Sequence, residues 1–158
     1  ANAPGLSRGS GSAYIMDVST LKAREVKINV TGTIDGKSFP SSKVFRIKDI
    51  PRPNGTVRGK QGILLMQRQS LEISSIGAEM GKDFDFDLKL NVTEFSFKVP
   101  GQPTVKVSGN KLNAQAKKAL KRAKRGQTVT IRDIKAKIVG NSSYKLPRIS
   151  DISIELTN

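Results

Sequence analysis

Across most of the chain, apolar residues recur at every second position. Val26, Ile28 and Val30 fall on one face while Glu25, Lys27 and Asn29 fall on the other, the signature of a half-buried strand. Asp35-Gly36 supplies a hairpin turn. Residues 42–50 return as a second strand, with Phe45 and Ile47 in step. Pro51 and Pro53 then break the ladder, because neither can donate a backbone hydrogen bond. The opening ANAPGLSRGSGSA is small, polar and glycine-rich, and reads as a flexible lead-in or a loop.

Beyond the prolines, GILLMQRQSLEI is ambiguous, with Leu64, Leu65, Arg68 and Leu71 suiting one or two helical turns, and SSIGAEM reads as a strand. In DFDFDLKLNVTEFSFKV, Phe84, Phe86, Leu88, Leu90 and Val92 alternate with polar residues, and after Thr93-Glu94 the apolar phase moves to Phe95, Phe97 and Val99. A parity change across one residue predicts a β-bulge or a strand crossing between sheets. The period switches only once to helical spacing. Leu112, Ala116, Ala119, Leu120 and Ala123 form one stripe of a helix near 113–125, with Asn113 as N-cap, Gly126 as stop and cations crowding the C-terminal end. QTVTIRDIKAKIVG and SDISIELTN resume the strands. About eight strands and one helix make the chain mainly β.

Composition narrows the chemistry. The chain has no Cys and no His, which removes disulfides, thiolate nucleophiles, imidazole bases and the commonest metal ligands. A formal charge of +15 favours acidic partners. No run approaches a membrane span, and a chain opening on Ala1 rather than Met is expected to be a processed form or a fragment.

Two clusters compete as sites. Asp83, Asp85, Asp87, Asn91 and Glu94 match positions 1, 3, 5, 9 and 12 of a calcium loop. Leu88 stands where that loop turns on Gly, though, and on an extended strand Asp83 and Asp87 lie about 13 Å apart. The wet face of a long strand, its phenylalanines turned inward, is the stronger reading. A hydrolase built on Asp85 and Asp87 lacks any cleft signature. The second cluster is the basic arc Lys117, Lys118, Lys121, Arg122, Lys124 and Arg125, opposite the apolar stripe. It is either a solvated helix face or a docking surface for anionic groups. Scarce aromatics and the absence of an RNP-type motif disfavour nucleic acid, which stays open as a charge-driven alternative.

Four segments in a fixed order carry a resemblance: FRIKDIPRP (45–53), DFDFDLKLNVTEFSFKV (83–99), SGNKL through AKRGQTVTIRDIKAKIVG (108–140) and LPRISDISIEL (146–156). Together they resemble the C-terminal region of the GldM/PorM family of type IX secretion and gliding-motility components. The resemblance implies a non-enzymatic, cofactor-free periplasmic scaffold that docks ring components at the outer membrane. It also implies an inner-membrane anchor and motor contact through an N-terminal segment outside this chain, and a homodimer. In that frame residues 1–50 are the latter part of an Ig-like β-sandwich domain, 51–55 a Pro-rich linker, and 56–158 a β-rich C-terminal domain carrying the helix. Arg52 departs from the family's Ile-Pro-x-Pro linker, where an acidic residue is expected. The first domain is expected to lack its opening strands, so that residues 13–50 pair with another copy or dock on the second domain. Lys117, Lys121, Arg122 and Lys124 are the expected docking residues, with Asp85 and Asp87 as a second set.

Overall fold

A computed structural model describes residues 1–84, 86–142 and 144–158. The chain divides into two compact units, Ala1–Asp49 and Ile50–Asn158. In the first, β1 (Leu6–Arg8) pairs antiparallel with β2 (Tyr14–Met16), and β3 (Glu25–Ile34) pairs antiparallel with β4 (Lys37–Arg46). Asp35 and Gly36 both have positive φ, 50° and 75°, as a two-residue type I′ turn requires. The opening stretch is no loose lead-in: Leu6 aligns with Met16, and Gly9 donates to the Ala13 carbonyl at 2.9 Å. Its glycines allow the tight turn that closes this short ribbon, with Gly11 at φ 63°. Asn2 bridges to Asn29 on the outer edge of β3. Val26 is the one buried apolar residue described in this unit.

The second unit contains β5 (Asn54–Val57), β6 (Lys60–Gln61), β7 (Ile63–Met66), α1 (Arg68–Glu72), β8 (Ile76–Glu79), β9 (Leu90–Lys98), β10 (Val105–Ser108), α2 (Ala114–Lys121), β11 (Thr128–Ile138) and β12 (Ile152–Leu156). Two sheets form, a five-stranded one in the order β10-β9-β11-β12-β7 and a three-stranded one in the order β6-β5-β8. All pairings are antiparallel except β12 with β7. The architecture is mainly β, as its period-2 sequence predicts. Twelve strands and two helices are described rather than eight and one. Most of the additional strands have two to four residues, too few to write a period.

One continuous core lies inside this unit. Phe95, Phe97, Val107, Val129, Ile131, Ile152, Ile154 and Leu156 of the large sheet are buried against Leu71 of α1, Ala116 and Leu120 of α2, and Val57, Ile76 and Ala78 of the small sheet. Fully burying a Phe or Ile stabilises by about 1.5–3 kcal/mol. The two sheets come so close at Gly55 that a Cβ there would sit 2.5 Å from the Ser150 carbonyl oxygen and 2.6 Å from Ile134 Cδ1. Glycine is therefore a packing requirement at this position.

The expected parity change is a bulge. Lys135 aligns with Glu94 but Ala136 aligns with Val92, which leaves Thr93 of β9 without an opposite residue. A second bulge, unforeseen from sequence, sets Asp133 and Ile134 of β11 opposite Phe95 alone, with Asp133 at φ 53°. The two offsets cancel, so both strands recover an inward apolar face on either side.

Among the described residues, the long strand expected through the Asp-Phe repeat does not form. β9 starts only at Leu90, because its partner β11 ends at Ile138 and the last ladder-like bond is from Val139 to the Lys89 carbonyl. Gly140, at φ 88°, then turns the chain away. Alternation without a neighbouring strand cannot make a ladder. Phe86 is 72% exposed, not inward, and meets Phe84 edge-on with ring centroids 5.5 Å apart. Asp85 lies outside the described residues.

Candidate docking surface

The basic helix is mounted firmly. Its stripe positions Leu112, Ala116, Leu120 and Ala123 are buried, so the opposite arc has to face solvent. At the N-terminus the Asn113 side chain accepts a 2.8 Å bond from the Ala116 N–H, satisfying one of the helix's orphan donors. At the other end Arg122 is the C-cap, shorter than the stripe alone suggests. The Gly126 N–H then bonds the Leu156 carbonyl at 2.7 Å, tying the following turn to β12.

The expected docking residues Lys117, Lys121, Arg122 and Lys124 are all carried on or just beyond α2. Lys117 reaches Glu72 of α1 at 3.9 Å, a long and solvated pair that contributes little. The Arg122 guanidinium donates to Gln102 Oε1 at 3.4 Å. Lys121 lines a cleft of about 230 Å³ with Arg68, Gln69, Glu72, Leu120 and Asn158. Lys118, Lys124 and Arg125 are exposed beside them. The cations concentrate at the helix's carbonyl end, where the macrodipole favours them, and among the described residues Glu72 is the acid that reaches this arc.

Arg68 is the residue missed from sequence. Its guanidinium donates to the Ala123 carbonyl at 3.1 Å, capping the end of α2 from α1, and its N–H donates to Asn158 Oδ1 at 2.8 Å. Positions 68, 123 and 158 are brought together only by the tertiary fold, so no local pattern could show it.

Asp87 does not join this surface. Arg122 contacts Gln102, past the C-terminal end of β9, whereas Asp87 is exposed before its start. A nine-residue strand between them spans roughly 26 Å at about 3.3 Å per residue. Asp87, of the second expected set, thus lies at the opposite end of the strand from Arg122.

The outer face of the large sheet carries a separate charge pair. Lys135 and Glu94 meet at 2.7 Å in the single register position between the two bulges. The hydrogen bond from Lys135 holds the Glu94 carboxyl below its ordinary pKa, and the same bond raises Lys135. Both groups are solvated, so the pair fixes register more than it adds stability. Among the described residues no three acidic side chains gather as a metal site, and no helix is long and apolar enough to cross a membrane.

A family model described as the GldM C-terminal domain matches residues 51–157. No curated protein matches the chain.

Proposed function

Since the chain belongs to the GldM C-terminal domain family, whose members are components of the gliding and type IX secretion machinery, we propose that it is a periplasmic, non-enzymatic docking element of that machinery. The basic arc on α2 engages an acidic surface of a ring component at the outer membrane. An inner-membrane anchor and motor contact belong to the N-terminal part of the full-length protein. The observation that carries this reading is the cationic end of α2, exposed on one side and pinned on the other by Leu120, Ala123 and Arg68. A charged face held this rigidly loses little conformational freedom on binding, and steers association with an oppositely charged partner.

The test is a pull-down of ring proteins from periplasmic extract with the wild-type chain and with Lys121→Glu/Arg122→Glu. Charge reversal at two adjacent rim positions is expected to lower capture at least about tenfold. Undiminished capture removes α2 from the reading.

A homodimer through the first unit is the companion proposal. β3 and β4 are ten-residue strands and, among the described residues, no further strand lies beside β4. Ile34, Phe39 and Val44 on them are exposed, so the ribbon offers an open edge and apolar cover to a second copy. Light scattering on the purified chain is expected to report a dimer at micromolar concentration. A monomer at high concentration refutes it.

A further inference from the structure

β7 is the last strand of the five-stranded sheet, with β12 on one side and, among the described residues, no strand on the other. The carbonyls of Gly62 and Met66 accept bonds from Ser153 and Thr157 at 3.2 and 3.0 Å. Backbone polar groups alternate sides along a strand, so those of residues 62, 64 and 66 face β12 while the N–H and C=O of Ile63 and Leu65 point away from the sheet. No hydrogen bond reaches these four groups among the described residues. The side chains of Ile63 and Leu65 are 83% and 69% exposed.

Sheet edges are ordinarily blunted by proline, charge or a bulge. The stretch Ile63-Leu64-Leu65-Met66 has no proline and no charge, and its register with β12 is unbroken. A groove of about 580 Å³ runs along it, lined by β7 residues of both parities together with Arg58 and Lys60, and by no carboxylate. Glu155 of β12 aligns with Leu65, and neither it nor Glu79 lines the groove.

We propose that the β7 edge is a second docking site, which adds an extended segment of a partner protein in which apolar and acidic residues alternate. The main chain of the added strand fills the open groups of Ile63 and Leu65. Its apolar side chains lie beside those two residues, and its carboxylates face Arg58 and Lys60. Main-chain bonds supply affinity in this mode and alternate side chains supply specificity. A second copy of this chain fits less well, because it carries +15 and edge-to-edge pairing would set two Arg58–Lys60 pairs against each other.

The site is independent of α2 and is tested separately. Fluorescence anisotropy would follow a labelled nonapeptide alternating Val and Glu against the intact chain, with the Lys-for-Glu peptide as control. Saturable binding of the Glu peptide is expected, weakened at least about tenfold in Leu65→Pro, which removes an outward N–H while sparing every bond to β12. Arg58→Glu/Lys60→Glu is expected to reverse the preference between the two peptides, and it carries the test should Leu65→Pro fail to fold. Lys121→Glu/Arg122→Glu is expected to bind the Glu peptide as the wild type does. Equal binding of both peptides to the wild type, or full retention of binding in both edge variants, overturns the proposal. Self-association abolished by Leu65→Pro, without peptide binding, also overturns it by assigning the edge to a second copy.

Discussion

The ribbon of β3 and β4 and the ladder of β9 and β11 are similar lengths of antiparallel strand, ten and ten residues against nine and eleven. β3 alternates apolar and polar residues, as β9 and β11 do on either side of their bulges. In the first, Val26 is buried and every residue of β4 is exposed. In the second, Phe95, Phe97, Val129 and Ile131 have no accessible surface. Backbone pairing is therefore not what separates the two units. The difference is the second layer, since α1, α2 and the small sheet cover the inner face of the β9–β11 ladder, and a two-stranded ribbon has no inside of its own. Alternation states which face could be buried, and only a covering element buries it.

Substitutions of matched chemistry in the two units test that contrast. Phe97→Ala should lower unfolding free energy by about 3–5 kcal/mol, while Phe39→Ala, on a half-exposed ring, should change it by no more than about 0.5 kcal/mol. Urea denaturation of the two variants measures both, and similar losses would dissolve the comparison. Glycine gives a finer pair. Gly55→Ala drives a methyl into the Ser150 carbonyl and the Ile134 side chain and should cost about 1–3 kcal/mol. Gly32→Ala in β3 meets nothing within 4 Å and should be neutral or stabilising by up to about 1 kcal/mol.

Asn113→Ala removes the cap bond to Ala116 and should cost about 1 kcal/mol, read as a lower melting temperature with the β signal intact. The smallest effect belongs to the solvated Glu94–Lys135 pair. The Glu94 pKa is depressed by Lys135, so its contribution is present above the ordinary 4.5 and is lost as pH falls through the depressed value. The Lys135 pKa is raised by Glu94, so its contribution is present below the ordinary 10.5 and is lost as pH rises through the raised value. Melting temperatures of wild type and Glu94→Gln should differ by no more than about 2 °C at neutral pH and converge in acid.

Local rules made much of this legible. The Asp35-Gly36 hairpin, the Asn113 cap, the buried stripe of α2 and the Thr93 bulge all follow from neighbouring residues, because turn geometry, capping and strand parity act over a few positions. The Asp-Phe repeat misled for the converse reason. Its alternation is as regular as that of β12, yet β12 has β11 and β7 beside it, and among the described residues no strand lies beside the repeat. For the docking face, the residues of α2 could be named from sequence. Arg68, which pins that face, and the distance separating it from Asp87 could not.

The order of residues by itself determined the class of fold, the position of the main helix, the cationic character of its outer face, and the lack of imidazole and thiol chemistry. These are properties of composition and short-range geometry. Which alternating segments became strands, why Gly55 admits no side chain, and why β7 is left with one edge open were decided only by the tertiary structure. Each depends on which element lies alongside, and residues distant in sequence set that.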